Sequence, residues 1–191
     1  RDIGVTGVQT CALPISVDAE GEFHLDLRAG NQWMEYVLAN HPFDVVGWDG
    51  MVYPFAFNAM DFEPITGTIH QPPPIHQTFQ TDGFVVCTFA PRMLDTHPNA
   101  IKVPYAHSNV ESDELLYYVA GNFGSRRGIE LDSITLHPHG IPHGPHPGTI
   151  AASRPVTKTD ELAVMIDTFR PLRMAQAAIG FDDPAYPLSW L

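Results

Sequence analysis

The chain has 191 residues, 44% of them hydrophobic, so it is long enough and apolar enough to build a sizeable core. Its formal net charge of −12 argues against nucleic acids and anionic membranes as partners, because both are bound through basic patches. No apolar run approaches the length that is needed to span a bilayer.

The first sixteen residues, RDIGVTGVQTCALPIS, follow neither a strand nor a helix pattern. They look like a translated library adapter, so we exclude residues 1–16 as a non-native segment and expect one domain over residues 17–191. On this hypothesis Cys11 carries no information, whereas Cys87 in the run GFVVCTFA is predicted to be a buried core residue. Two cysteines make no disulfide framework, so a reducing compartment, the cytoplasm, is expected.

The remaining chain consists of short extended runs that are interrupted by proline, glycine, asparagine and aspartate. Residues 32–40 fit either a helix or a strand, and residues 171–180 have a helical composition. Many short strands are typical of a sandwich or a barrel, so we predict an all-β, cupin-like jelly-roll barrel with a short C-terminal helical segment. The predicted strands cover residues 43–49, 51–57, 64–70, 84–90, 114–120, 132–138 and 161–169.

Candidate metal ligands lie on two separate segments. His107 and Glu114 occur in PYAHSNVESDELLYYVAG, which fits the first cupin motif, G-x5-H-x-H-x4-E-x6-G. Asn109 replaces the second histidine of that motif, and Gly121 provides the closing glycine. Together with His143, this pattern predicts two imidazoles and one carboxylate, the facial set that holds non-haem Fe(II) and leaves one side open for dioxygen and a chelating substrate.

The second segment, LHPHGIPHGPHPG, contains the P-x-G-x-x-H of the second cupin motif, which ends at His143. His139 and His146 are rival ligands in the same loop, because motif spacing is only a hypothesis. Asp113 is a rival to Glu114, although it falls one residue early.

The segment HQPPPIH begins at His70 and ends at His76. Its three prolines predict a stiff extended loop that could hold an imidazole at a fixed distance from a metal. Imidazole titrates near neutral pH, so His70 could deprotonate a phenol-like substrate. A rigid surface loop explains the same pattern equally well.

Several segments together resemble the homogentisate 1,2-dioxygenase family, in order and over roughly residues 43–172. The resemblance implies the catalytic domain of that family, without the N-terminal β domain that its members also carry. It implies Fe(II)-dependent conversion of homogentisate and O2 to maleylacetoacetate in tyrosine and phenylalanine catabolism, in a homo-oligomer, a trimer or a hexamer. The resembling segments are DVVGWDG, YPFAFN, GTIHQPPPIHQTF, PYAHSNVESDE, LHPHGIPHGP and AVMIDTFRPL.

The resemblance also implies roles for individual residues. His70 corresponds to the active-site base, and His137 to a histidine that lines the substrate pocket, as does the ligand His143. A substrate-contacting tyrosine of the family corresponds to Phe123, which cannot donate a hydrogen bond. Either another group holds the polar tail of the substrate, or the preferred substrate differs. The implied iron ligands are His107, Glu114 and His143.

Two other classes of function fit part of the pattern. A non-catalytic cupin that binds a metal or a small ligand needs the same ligand set, and a dioxygenase of the same family could act on another dihydroxyaromatic acid. A cupin isomerase that works without O2 is disfavoured by the open two-histidine, one-glutamate set.

Overall fold

The computed structural model describes residues 13–44, 54–124 and 126–191. The helices are α1 (Thr149–Ser153) and α2 (Gln176–Ile179), with 3-10 turns at Ala59–Asp61, Pro73–His76 and Tyr186–Trp190. The strands are β1 (Leu13–Pro14), β2 (Glu20–Ala29), β3 (Gln32–Asn40), β4 (Phe55–Ala56), β5 (Gln77–Gln80), β6 (Phe84–Phe89), β7 (Arg92–Met93), β8 (Glu114–Ala120), β9 (Ile134–His137), β10 (Lys158–Thr159) and β11 (Leu162–Thr168).

The chain divides into two compact units, and strands β1 to β4 belong to the first, which runs to Asn58. In this unit β2 and β3 form an antiparallel hairpin that pairs Ala29 with Gln32. The two-residue turn between them uses Gly30 at a φ of 61°, which suits a glycine and matches the twist of the strands. The ambiguous residues 32–40 are therefore a strand, because β2 provides a partner along their whole length.

The second unit contains residues 59–191 and is built around a five-stranded antiparallel sheet in the order β5-β6-β11-β8-β9. Alternate residues of β8 are buried, as expected for a strand with one face on the core. The buried core on this face consists of Cys87, Leu116, Tyr118, Phe123, Ala163 and Met165.

These antiparallel sheets and the short C-terminal helical elements confirm the predicted all-β, cupin-like fold class. Cys87 is 2% exposed, as predicted, and burial raises the pKa of its thiol to about 12, so the thiol is unreactive. None of the helices in the described ranges has the length and apolarity that crossing a bilayer requires.

Four strand predictions are confirmed, those at 84–90, 114–120, 132–138 and 161–169, which correspond to β6, β8, β9 and β11. The prediction at 64–70 is wrong, because no strand forms there and Gly67 has a φ of 129°. Most of 43–49, and residues 51–53, lie outside the described residues, whereas β4 forms within 51–57.

Two further predictions need correction. Only Gln176–Ile179 of residues 171–180 is helical. The proline segment is not a fully extended loop, because Pro73–His76 form a 3-10 turn in which Ile75 N–H donates to Pro72 C=O at 3.1 Å. The fixed φ of proline is compatible with either conformation, so the pattern could not distinguish them.

Candidate metal centre

Two loops of the second unit are joined where the candidate ligands lie. His107 and His143 form an isolated antiparallel bridge, in which each backbone N–H donates to the other residue's C=O at 2.8 Å. A Cβ on Gly144 would lie 2.8 Å from Ala106 Cα, so only glycine permits this approach of the loops. The bridge fixes both imidazoles on one site, with ring centroids 4.4 Å apart.

Glu114 is placed by the sheet. It is the first residue of β8, and it pairs with His137 on β9 and with Asp167 on β11. Paired residues of neighbouring strands point to the same face of a sheet, so these three side chains form a polar row at one end of the apolar core face. At the other end of β8, Gly121 packs so closely on Asp160 C=O that a Cβ would clash, which explains the closing glycine of the motif.

The tautomers of the two candidate imidazole ligands follow from their partners. The Nδ1 atom of His107 lies 2.8 Å from Tyr105 C=O, and that of His143 lies 3.1 Å from Ile141 C=O. A carbonyl can only accept, so each Nδ1 carries the hydrogen and each Nε2 keeps a lone pair. Metal-binding histidines are oriented in this way, through a hydrogen bond from the other ring nitrogen.

His137 plays the corresponding role for the carboxylate. Its Nδ1 lies 2.7 Å from Glu114 Oε1, and both side chains are buried. The second oxygen, Oε2, lies 3.8 Å from His107 Nε2 and 3.6 Å from His143 Nε2. One oxygen of Glu114 is thus hydrogen-bonded to His137, while the other lies near the Nε2 atoms of both His107 and His143.

These residues can hold a metal ion. One ligand atom from each of His107, Glu114 and His143 lies within 4.8 Å of the others. With metal–ligand bonds of roughly 2.0–2.2 Å, two ligand atoms on the same face of an ion are about 3 Å apart. The 3.6 and 3.8 Å separations of Glu114 Oε2 from the two imidazole nitrogens therefore need only a small contraction. The Nε2 atom of His143 is buried and has no hydrogen-bond partner among the described residues, so its lone pair is available to an ion.

Charge also favours a cation at this point. Burial alone would raise the pKa of Glu114, but the three neighbouring imidazoles of His107, His137 and His143, with the hydrogen bond from His137 among them, outweigh burial and hold that pKa well below its usual range. The nearby Glu114 carboxylate raises the pKa of His107, whereas burial lowers the pKa of His137. A carboxylate that stays ionised at neutral pH between imidazole lone pairs is a site for a positive ion.

The rival ligands are engaged elsewhere. His139 is exposed, and its Nδ1 bonds to Asp113 Oδ1 at 2.8 Å. The buried Asp113 carboxylate also accepts backbone N–H bonds from His139 and Leu172, which together outweigh burial and lower its pKa. His146 accepts from Arg127 N–H at Nδ1 and contacts Ser189 Oγ through Nε2 at 2.7 Å. Both histidines therefore stabilise their loops through hydrogen bonds and do not point to the candidate metal site as ligands.

A cavity of about 800 Å³ opens beside the centre, and its lining includes His107, Glu114 and His70. His70 is exposed, and its ring is stacked with that of Tyr105 at a centroid distance of 6.1 Å. The Tyr105 ring in turn lies 6.0 Å from the ring of His107. The candidate base and two candidate ligands thus border the same space.

The two remaining predicted substrate contacts lie deeper in the protein. His137 is 4% exposed and stacks on His143 at 4.6 Å, and Phe123 is 8% exposed and packs edge-on against Tyr118 at 4.8 Å. Neither is part of the cavity lining, so their contact with a substrate stays a prediction.

The cavity lining also contains charged residues that sequence reasoning missed. Asp167 has a buried Oδ1 without a partner in the described part of the chain, and burial, together with nearby Glu114, raises its pKa to about 6. An acidic residue within the apolar strand AVMIDTF was the available signal for it. Arg126, in GSRRG, had no such signal, because adjacent arginines are ordinary in a surface loop.

No protein-family model matches the chain. Over 182 residues the chain is 46% identical to a Saccharolobus solfataricus protein named "Putative dioxygenase SSO1533". The matched region covers 93% of this chain and 47% of that protein. Over 179 residues it is 26% identical to homogentisate 1,2-dioxygenase of Nitrobacter hamburgensis, covering 86% of this chain and 40% of the relative. The chain thus spans less than half the length of either curated relative. Both are named as dioxygenases, and only the more distant one is named for homogentisate.

Proposed function

We propose that this protein is an Fe(II)-dependent dioxygenase that opens the ring of a dihydroxyphenyl acid, with homogentisate as the leading substrate and maleylacetoacetate as the product. The observation that carries this proposal is the convergence of His107, Glu114 and His143 beside a cavity, with the second nitrogen of each histidine bonded to a carbonyl. Similarity to two proteins that are named dioxygenases supports the same reaction class.

The donor set favours iron. Two imidazoles and one carboxylate on one side of an ion form the facial arrangement of non-haem Fe(II) oxygenases. Iron held there would bind the substrate and dioxygen on its open side and allow electrons to pass between them. In this assignment His137 keeps Glu114 in position by taking one carboxylate oxygen, so the other oxygen stays directed at the metal.

The protein's contribution to the chemistry begins with a proton. A phenol binds a metal well only after it loses its proton, and an imidazole can accept that proton near neutral pH. We assign this role to His70, which borders the same cavity as His107 and Glu114. It lies just before the run of prolines that leads into the 3-10 turn Pro73–His76, so the segment that follows His70 is stiff, since proline fixes φ.

The cavity wall supplies the second contribution. Apolar side chains form part of the wall next to the candidate metal centre, and an apolar wall limits the water that reaches reactive species. The apolar lining includes Phe89, Leu94, Ile101, Val103, Leu116 and Met165.

A dioxygenase for a different dihydroxyaromatic acid is the second candidate. The observation that favours it is Phe123, which stands where the resembled family has a substrate-contacting tyrosine and which packs in the core. The non-catalytic cupin has no comparable observation in its favour.

Oxygen-electrode measurements on the iron-loaded protein test the proposal. We expect iron-dependent O2 consumption with homogentisate and formation of a ring-opened, conjugated product. Faster turnover of gentisate would keep the dioxygenase and change its substrate. Absence of O2 uptake with any dihydroxyphenyl acid, at full iron occupancy, would leave a metal-binding cupin instead.

The resemblance also leads us to propose a cytoplasmic homo-oligomer, either a trimer or a hexamer. Light scattering on the iron-loaded protein measures its mass directly, and a monomer would contradict this assignment.

A further inference from the structure

The cavity beside the metal centre has an unusual share of the protein's positive charge. The chain has ten lysines and arginines and a net charge of −12, yet four of those ten side chains line this one cavity. Acidic residues line it as well, so the cavity is not positive as a whole. The question is which cation is available to a ligand. The four are Arg92, Lys102, Arg126 and Lys158.

Two of these cations are already occupied by the protein. The ammonium of Lys102 donates to the carbonyls of Arg154 at 2.9 Å and Val156 at 2.7 Å. The guanidinium of Arg92 donates to Ala90 C=O at 3.1 Å and to Gln71 Oε1 at 3.4 Å. The hydrogen bonds of these two side chains stabilise the cavity wall.

Lys158 is exposed on β10, whereas Arg126 is half-buried. Its Nη1 donates to Gly144 C=O at 2.5 Å, directly after the candidate ligand His143. Its Nε is buried and has no acceptor among the residues that the structure describes. A guanidinium with an unused donor at its edge is suited to a carboxylate, which can accept two parallel N–H bonds from it.

The carboxyl groups of the cavity do not neutralise Arg126 by direct pairing. Within the described ranges no acidic oxygen forms an ion pair with it. The nearby Glu161 has a raised pKa, because burial disfavours its charged form more than Arg92 and Arg126 favour it.

Phe123 and Arg126 lie on the same turn, but Phe123 is buried in the core and Arg126 lines the cavity. The Arg126 N–H donates to Phe123 C=O at 3.0 Å, while the Phe123 ring packs against Tyr118 in the core. The phenylalanine has no polar atom on its side chain, whereas the arginine three residues later borders the cavity. This loop therefore offers a cation for the polar tail of a ligand, not a hydroxyl.

We propose that Arg126 binds the carboxylate of the substrate and so selects aromatic acids whose ring hydroxyls reach the metal centre. This inference rests on the proposed function and adds the group that recognises the acid.

Anaerobic calorimetric titration of the iron-loaded protein with homogentisate and with its methyl ester tests the inference. The ester keeps the ring hydroxyls and lacks the negative charge. We expect the native protein to bind the acid more tightly than the ester. Arg126→Gln should weaken binding of the acid at least tenfold, about 1.4 kcal/mol, and change binding of the ester less than twofold. The glutamine amide keeps a donor for Gly144 C=O, and iron content is measured on every variant.

Arg127→Gln is the matched control, because Arg127 is exposed and its Nη2 donates to Pro147 C=O, outside the cavity lining. It should leave both affinities unchanged.

Should Arg126→Gln fail to load iron, Arg126→Lys replaces it, with an expected loss of about threefold for the acid alone, since an ammonium cannot form the paired bonds. Equal weakening of acid and ester, or no weakening of the acid, in the variant that loads iron would overturn the assignment. A native protein that binds neither probe would overturn the proposed function and this inference with it.

Discussion

Two histidine-bearing regions of this protein use imidazole in opposite ways. Around the candidate metal centre, His107 and His143 each donate Nδ1–H to a carbonyl, and His137 donates to a carboxylate. In the proline segment, His76 is fully buried, and neither ring nitrogen has a partner in the described part of the chain. Burial and histidine density are therefore poor guides to ligands. A metal-binding histidine is better recognised by the hydrogen bond that its other ring nitrogen donates to a carbonyl, as in His107 and His143.

The largest effect on metal binding is expected at the three candidate ligands. His107→Ala, Glu114→Ala and His143→Ala should each weaken Fe(II) binding at least a hundredfold, about 2.7 kcal/mol, because each removes a donor from a three-donor set. Anaerobic iron titration measures this. The control is His146→Ala, in the same loop but bound to Ser189 and Arg127. Intact iron binding in His143→Ala with loss in His146→Ala would move the third ligand.

The proline segment should contribute to catalysis through His70 and not through His76. His70→Phe should keep its iron and lose ~10²–10⁴ in turnover, because the phenol proton no longer has an acceptor. The loss should be larger at low pH, where fewer substrate molecules are already deprotonated. His76→Phe is the comparison variant, since that ring packs on Phe89 at 4.7 Å. Equal losses in both variants, or loss of iron from His70→Phe, would show that His70 is structural or a ligand.

His137 tests whether orientation of the carboxylate matters at the metal centre. His137→Phe removes the 2.7 Å bond to Glu114 Oε1 and keeps a ring against His143. Loss of an outer partner of this kind typically weakens metal binding by ~10–100-fold, less than loss of a ligand. Iron titration alongside Glu114→Ala gives the ratio. Unchanged iron affinity would mean that the sheet alone positions Glu114.

The last prediction concerns the acid stability of the metal-free protein and does not involve the metal. Burial, with a smaller contribution from Arg92, lowers the pKa of His76 to about 3, while the unfolded chain has an ordinary value near 6.5. The unfolded state therefore binds the proton first, so this stability is complete above pH 6.5 and is lost as the pH falls toward 3. Between pH 7 and 5 the loss is about 2 kcal/mol. In His76→Phe, urea unfolding should show a flatter pH dependence over this range, whereas an unchanged slope would contradict the origin assigned here.

Sequence reasoning reached the strands that carry the site, because β6, β8, β9 and β11 are short apolar runs with clear boundaries. It also selected His107, Glu114 and His143 by motif spacing, and the fold brings these three together. It missed β2, whose side chains are nearly all exposed, so no buried face marked that strand. It could not predict the position of Arg126 in the cavity wall or the hydrogen bonds that engage His139 and His146, because these contacts depend on which loops meet in space.

The most direct test of the central claim follows the oxygen atoms. The iron-loaded protein is mixed with homogentisate under ¹⁸O2, and the product is analysed by mass spectrometry. A ring-cleaving dioxygenase places both atoms of one O2 molecule in the ring-opened product. A ring-opened product without label in its new carboxylate, or release of the label as hydrogen peroxide with the ring intact, would contradict the account.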